Sequence, residues 1–297
     1  MKTLYVSLIS LSLLVLSNQV GFSNSVSIPD LSIPYDGMTL KWLYQFKAVV
    51  PAVSEERVDE ETWLAVYTRG SVENFFEVRE VFPDEEYNFE VDGSTGVITT
   101  GKNKGKFVSH WIPTDVSVGK SFDFAGFDTN ATVISKNAEV YLPKISGGVT
   151  INAFELQSYM IFEEENDTHV VKDFFDKNTG VRVKTRTEYD TVLAGYFAKI
   201  YIEITLTESG VDNDDDGLTD YEELFATLTN PIKSDSDGDL WKDSADMMPN
   251  NFLLPNGLII ALVVIISISG IIAYKFLQRR KALTKTESVS QMPQEVE

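Results

Sequence analysis

Acidic residues near the carboxyl-terminal end of the chain are spaced like the ligands of a metal ion. The stretch DNDDDGLTDYEE, from Asp212 to Glu223, matches every defined position of the twelve-residue calcium loop D-x-[DN]-x-[DN]-G-x5-E. Calcium is a hard ion that prefers oxygen ligands, and such a loop supplies them from positions 1, 3, 5, 7, 9 and 12. The predicted ligands are Asp212, Asp214, Asp216, the backbone carbonyl of Leu218, Asp220 (directly or through water) and Glu223.

A second, altered copy of this pattern follows. Its predicted ligands are Asp235, Asp237, Asp239, the backbone carbonyl of Trp241, Asp243 and Asp246. Position 6 holds Leu240, whereas Gly217 occupies this position in the first copy. A leucine in the left-handed conformation costs roughly 1–2 kcal/mol. We therefore expect a second calcium site that is weaker or differently bent, with a loop that binds no second ion as the alternative.

Charge in this part of the chain supports a bound cation. Thirteen acidic residues stand between Glu208 and Asp246, against only two lysines. So much charge of one sign in a short segment repels itself and opposes folding unless a cation neutralises it.

The run from Val211 to Asp246 resembles the thrombospondin type 3 calcium repeats of prokaryotic surface proteins, which are EF-hand-like. In these repeats, DxDxDG units alternate with Asn-Pro connectors, as in "VDNDDDGLTDYEEL" and "TNPIKSDSDGDLWKDSAD". The resemblance implies a calcium-ordered module that acts as a rigid spacer between a functional domain and its attachment point. On this basis we expect residues 208–250 to form a calcium-binding stalk.

The two ends of the chain predict export and membrane anchoring. Residues 1–25 carry a short apolar run after Lys2, followed by small polar residues, which is typical of a signal peptide. Residues 252–276 are apolar over a length that suits a transmembrane helix. Basic residues follow this helix, so the positive-inside rule places residues 277–297 in the cytoplasm and the rest outside the cell. A processed carboxyl-terminal sorting tail is the alternative.

Residues 28–207 show the patterns of a mainly β domain. Apolar residues alternate along Ile200–Leu206, a period of two that places them on one face of a sheet. Turn-forming residues predict hairpins at Asp92–Gly96 and at Asp176–Gly180. Further strands are expected at Leu40–Val49, Trp63–Tyr67, Phe75–Val81, Phe107–Trp111, Ser121–Phe127, Val149–Phe162, Val170–Phe175 and Val181–Thr187. We predict an antiparallel β sandwich or a curved half-barrel.

Composition excludes several classes of function. The net charge of −20 opposes binding to nucleic acid, whose backbone is also negative. The chain has no cysteine, which excludes disulfides, thiolate nucleophiles and cysteine-ligated zinc. The two histidines, His110 and His169, are interpreted as ordinary structural residues, and no catalytic motif is present. We therefore predict a protein that is not an enzyme.

These observations give one favoured function and two alternatives. The favoured one is a membrane-anchored cell-surface protein that presents a β domain on a calcium-stabilised stalk for adhesion, recognition or envelope organisation. Its expected partners are the membrane, which it crosses once, and an extracellular protein, glycan or lipid ligand. The alternatives are a carrier or sensor of a lipid or small ligand, and a surface glycan hydrolase that uses paired carboxylates.

Overall fold

The computed structural model describes residues 28, 31–53, 55–143, 148–162, 167–252 and 256–290. The predicted signal peptide, residues 1–25, and the end of the predicted tail lie outside these residues. The described residues form ten strands: β1 Thr39–Val50, β2 Glu55–Arg69, β3 Phe75–Val81, β4 Glu86–Asp92, β5 Ser121–Phe122, β6 Ala131–Leu142, β7 Val149–Phe162, β8 Asp167–Asp176, β9 Arg182–Leu193 and β10 Tyr196–Thr207.

All ten strands belong to one antiparallel sheet in the order β4-β3-β2-β1-β10-β9-β8-β7-β6-β5. Strands that are consecutive in the chain pair with each other, except β4 and β5, which form the two edges of the sheet. The pairing of β1 with β10 joins the two halves of the meander. The Cα atoms of β6 and β10 come within 8 Å of each other although three strands separate them in the sheet, so the sheet is strongly curved. The mainly β prediction is confirmed, and a single curved sheet is found rather than the two sheets of a sandwich.

The connection between β4 and β5, residues 93–120, covers part of the sheet and contributes buried apolar residues to both core clusters. His110 accepts a backbone hydrogen bond from Arg182 at 2.7 Å, and Ile112 donates one to Gly180 at 2.9 Å. Gly180 has φ 75°, and a Cβ atom there would lie 2.0 Å from the carbonyl oxygen of Ile112. Glycine is therefore required in this turn by the close approach of the covering segment.

One predicted strand, Phe107–Trp111, is wrong. Phe107 and Trp111 make only isolated bridges, to Phe124 and Val181 among others, and belong to the covering segment. The apolar character of this run comes from packing, since Val108 and Trp111 are buried in the main core. The strand predicted over Ser121–Phe127 is limited to Ser121–Phe122.

Short helical turns and one long helix follow the sheet. An α-helical turn, Asp220–Glu222, continues as a π-helical turn, Glu223–Thr227, and a 3₁₀ turn spans Asp243–Ala245. The carboxyl-terminal helix, Asn256–Ser290, includes an apolar stretch, Ala261–Arg279, that is long enough to cross a membrane. The helix thus continues through the basic residues that were assigned to the start of the tail. The predicted domain boundaries remain predictions.

Candidate metal centre

The first acidic loop curls around its own carboxylates. Asp212 Oδ2 accepts the backbone N–H of Gly217 at 3.0 Å, and Asp216 Oδ1 accepts that of Leu218 at 2.7 Å. Asp214 Oδ1 accepts the N–H of Asp216 at 3.1 Å. These bonds turn the three aspartates inward, so that one oxygen from each lies within 4.8 Å of the other two. The structure therefore brings together the ligands predicted at positions 1, 3 and 5.

Several carboxylate oxygens in this loop are buried without a hydrogen-bond partner among the described residues. They are Asp212 Oδ1, Asp214 Oδ2 and Glu223 Oε2. Glu223, the predicted closing ligand, is fully buried as a residue. A buried charged oxygen without a donor is costly, and a cation removes that cost. An all-oxygen set of this kind fits calcium better than zinc or copper, which favour nitrogen or sulfur ligands.

The carboxylates also disturb each other electrostatically. Burial, together with the charge of Asp216, raises the pKa of Asp214 to about 6. Burial and the charge of Asp214 raise the pKa of Glu223 to about 9. Both shifts have the direction expected when like charges are confined without a counter-ion. A divalent cation would favour the ionised forms of both groups.

Asp220, at position 9, is held by protein donors. Its Oδ1 atom accepts the backbone N–H of Asn213 at 3.0 Å, and its Oδ2 atom accepts the hydroxyl of Tyr35 at 2.7 Å. The side-chain amide of Asn213 also donates to Oδ2. Asp220 therefore links the loop to the segment that precedes β1. It orients the loop in addition to any contact that it makes with a metal ion through water.

The second loop repeats the first with an offset of 23 residues. Asp235 Oδ2 accepts the N–H of Leu240 at 2.8 Å, as Asp212 does that of Gly217. Asp239 Oδ1 accepts the N–H of Trp241 at 2.9 Å. One oxygen each from Asp235, Asp237 and Asp239 again lies within 4.8 Å of the other two. Asp243 corresponds to Asp220 and accepts both the N–H and the hydroxyl of Ser236, and Asp246 takes position 12.

The second loop also has unpartnered oxygens, and Leu240 has the predicted conformation. Asp237, Asp239 and Asp246 each bury one Oδ2 atom without a hydrogen-bond partner among the described residues. Leu240 has φ 79°, in the left-handed region, and its side chain is 94% exposed. The backbone therefore follows the same path as the first loop, and the leucine keeps its strain without gaining contacts. The carbonyl ligands of Leu218 and Trp241 remain predictions.

The two loops form one unit. Asp216 Oδ2 accepts the N–H of Ser244 at 2.8 Å, and the hydroxyl of Ser244 donates to the carbonyl of Asp216 at 2.5 Å. Lys242 Nζ donates to the carbonyl of Asp215 at 2.6 Å. Asp216, a predicted ligand of the first loop, is thus hydrogen-bonded directly to Ser244, which lies within the second loop.

This unit is packed against the sheet, which the sequence did not indicate. Tyr221, Leu224 and Phe225 are buried in the main hydrophobic core. The hydroxyl of Tyr221 donates to the carbonyl of Pro143, just beyond β6, at 2.8 Å. The helical turn after the first loop ends at its C-cap, Leu228, which has φ 57°. In the sequence, only the apolar residues of this helical turn could have indicated that it packs against the sheet.

Comparisons with known proteins do not assign this chain to a family. No family model matches the chain, and no curated protein matches it in sequence. A DUF1329 family protein from Desulfovibrio piger is 9% identical with a TM-score of 0.15, over 65% of this chain and 91% of that one. A likeness this low supports no conclusion about activity. The chain is a mainly β protein with one carboxyl-terminal helix that has the length and composition to cross a membrane.

Proposed function

We propose that this protein is a calcium-binding, single-pass membrane protein that displays its β domain outside the cell. Calcium in the two acidic loops holds the segment between sheet and membrane helix in place. The observation that carries this proposal is the set of buried carboxylate oxygens without donors, found in two loops that share one hydrogen-bond pattern. We include in this proposal that the two loops are repeats of the thrombospondin type 3 kind.

The placement of these loops supports a structural role for calcium. Residues 208–252 lie between β10 and the carboxyl-terminal helix, and the loops contact the β domain through Tyr35 and Tyr221. Extracellular calcium modules bind with Kd values of roughly 10⁻⁴–10⁻³ M. A millimolar calcium concentration outside the cell is therefore sufficient to occupy such sites. The bound ions stiffen this segment, so that the β domain is presented for adhesion, recognition or envelope organisation without an enzymatic step.

Calcium titration of the full chain tests the proposal. We expect isothermal titration of the metal-free protein, in detergent, to show saturable Ca²⁺ binding that Mg²⁺ at equal concentration does not reproduce. Asp214→Asn removes one ligand charge and should weaken binding at the first site about tenfold or more.

The first loop supplies a matched control. Asp215 is exposed, lies outside the ligand positions and has φ 57°, a conformation that asparagine tolerates. Asp215→Asn makes the same change of charge and should leave the affinity within about twofold. Absence of binding heat in the unmodified protein, or equal losses in both variants, would contradict the proposal.

A further inference from the structure

A cleft lies between the sheet and its covering segment, apart from the calcium loops. It has a volume of about 450 Å³, within the range of roughly 300–1,000 Å³ that is typical of small-molecule sites. Residues of β2, β3 and β4 form one wall, and residues of the 98–109 and 125–127 stretches form the other. No residue of the calcium-loop segment is among the described residues that line it.

A buried arginine lies at the base of this cleft. Arg182 is 3% exposed, and its guanidinium stacks at 5.4 Å from the ring centre of Trp42 and 5.3 Å from that of Trp63. Its Nε atom has no hydrogen-bond acceptor among the described residues. An unpaired donor at this depth is costly unless a ligand or water supplies an acceptor.

A carboxylate lines the same cleft and is held in place from behind. Glu80 Oε1 lies 2.7 Å from Nε2 of His110, whose Nδ1 atom lies 2.7 Å from the hydroxyl of Tyr67. His110 is fully buried, and this burial lowers its pKa, which favours the neutral ring. Glu80 is thereby fixed as an acceptor for a hydroxyl or amide of a ligand.

Aromatic rings lead from the base of the cleft to its mouth. Trp63 stacks on Phe82 with ring centres 5.0 Å apart, and Phe82 meets Tyr87 edge to face at 5.9 Å. Tyr87 is 47% exposed at the entrance. Trp42 and Phe82 stack on Trp63 from its two sides, so Phe82 and Tyr87 are the rings that offer flat surfaces to the C–H face of a ligand.

Charges in and around the cleft balance each other. Arg182 and Lys102 line it together with Glu80, and the fully buried Asp173 interacts electrostatically with Arg182. An ionic ligand of either sign therefore gains little from this site. An uncharged ligand must offer an acceptor to Arg182, a donor to Glu80 and an apolar face to the aromatic rings. Sugar rings have all three, because hydroxyl groups donate and accept while one ring face is lined by C–H groups.

We propose that this cleft binds a neutral saccharide, with Arg182 and Glu80 hydrogen-bonding its hydroxyl groups and Phe82 and Tyr87 contacting its apolar face. This site gives the displayed β domain a ligand of its own, and it is independent of whether the acidic loops bind calcium.

Binding of neutral disaccharides to the full chain tests the site. The protein is reconstituted in lipid nanodiscs, because detergents with sugar head groups would compete. Maltose, cellobiose and N,N′-diacetylchitobiose are titrated at up to millimolar concentrations, with tryptophan fluorescence and calorimetry as readouts and laurate as an anionic amphiphile for comparison. We expect saturable binding of at least one disaccharide, with a change in fluorescence because Trp63 lines the cleft.

Two variants locate the site. Tyr87→Ala removes an exposed stacking ring without opening the core and should weaken binding about 2- to 12-fold. Tyr196→Ala is the matched control, because Tyr196 is 48% exposed at the β9–β10 turn and does not line the cleft. Failure of all three disaccharides to bind, binding of laurate alone, or equal losses in both variants would each overturn the proposal.

Discussion

Leu240 carries a side chain at the loop position where the first repeat has Gly217. Both residues adopt a positive φ, 79° for the leucine and 105° for the glycine. The leucine side chain is 94% exposed, so it gains almost no packing in return for its strained backbone. The second loop should therefore bind calcium more weakly than the first.

Leu240→Gly tests this strain directly. Relief of left-handed strain, roughly 1–2 kcal/mol, exceeds the roughly 0.5–1 kcal/mol that glycine adds in unfolded-chain entropy. We expect a net rise of about 0.5–1 kcal/mol in the free energy of unfolding, measured with urea, and tighter calcium binding at the second site.

Leu228 is a control for this measurement, because the opposite change in stability is expected there. It also has a left-handed backbone, at φ 57°, but its side chain packs against the main core. Leu228→Gly should therefore lower the free energy of unfolding, because packing is lost together with the strain. A loss of stability in Leu240→Gly would show that its backbone strain is not the dominant effect.

The loop segment and the sheet are linked by two tyrosine hydroxyls with different acceptors. Tyr35 donates to the carboxylate of Asp220, inside the first loop, whereas Tyr221 donates to the backbone carbonyl of Pro143. Both side chains are buried. The first bond joins the first acidic loop to the chain before β1, and the second joins the helical turn to the end of β6.

The variants Tyr35→Phe and Tyr221→Phe separate these two links. Loss of a hydrogen bond to a charged group costs about 1.5–3 kcal/mol, and loss of one to a neutral carbonyl costs about 1 kcal/mol. We expect Tyr35→Phe alone to weaken calcium binding, by about tenfold, because it releases a carboxylate that orients the loop. Calcium affinity is measured by titration. Equal affinities in the two variants would mean that the hydrogen bond from Tyr35 to Asp220 does not affect calcium binding.

Removal of calcium should loosen the segment between the sheet and the membrane helix. One ion at a free concentration of 100 times Kd adds about 2.7 kcal/mol to the free energy of unfolding. With a chelator, we expect faster tryptic cleavage at Lys233 and Lys242, while circular dichroism still shows the sheet. The exposed Lys102 and Lys104, outside the segment, serve as reference sites. A cleavage pattern that is the same with and without calcium would contradict the structural role of the ions.

Orientation in the membrane can be measured with single cysteines, because the chain has none of its own. Ser117→Cys places a thiol on the exposed covering segment, and Thr284→Cys places one after the apolar stretch. The basic residues that follow this stretch predict that an impermeant maleimide labels position 117 on intact cells and position 284 only after lysis. The reverse pattern would show that the β domain faces the cytoplasm.

Prediction from sequence succeeded where the signal is local and periodic. The strand expected at Phe75–Val81 has those bounds, and the one expected at Leu40–Val49 is found as Thr39–Val50. β6 was missed because shifts in register near Ser135 and Ala138 break its alternation. β4, Glu86–Asp92, was missed although Tyr87, Phe89 and Val91 alternate with polar residues, which is the period of two expected of a strand.

The acidic loops and the apolar helix could be derived from the chain alone because their residues are neighbours along it. Spacing within a dozen positions places carboxylates around one point, and an uninterrupted apolar run shows its length directly. The docking of the loops on the sheet and the cleft around Glu80, His110 and Arg182 depend instead on how the sheet curves. Residues as far apart as Tyr35 and Asp220, 185 positions along the chain, are brought together in this way, and no local pattern carries this information.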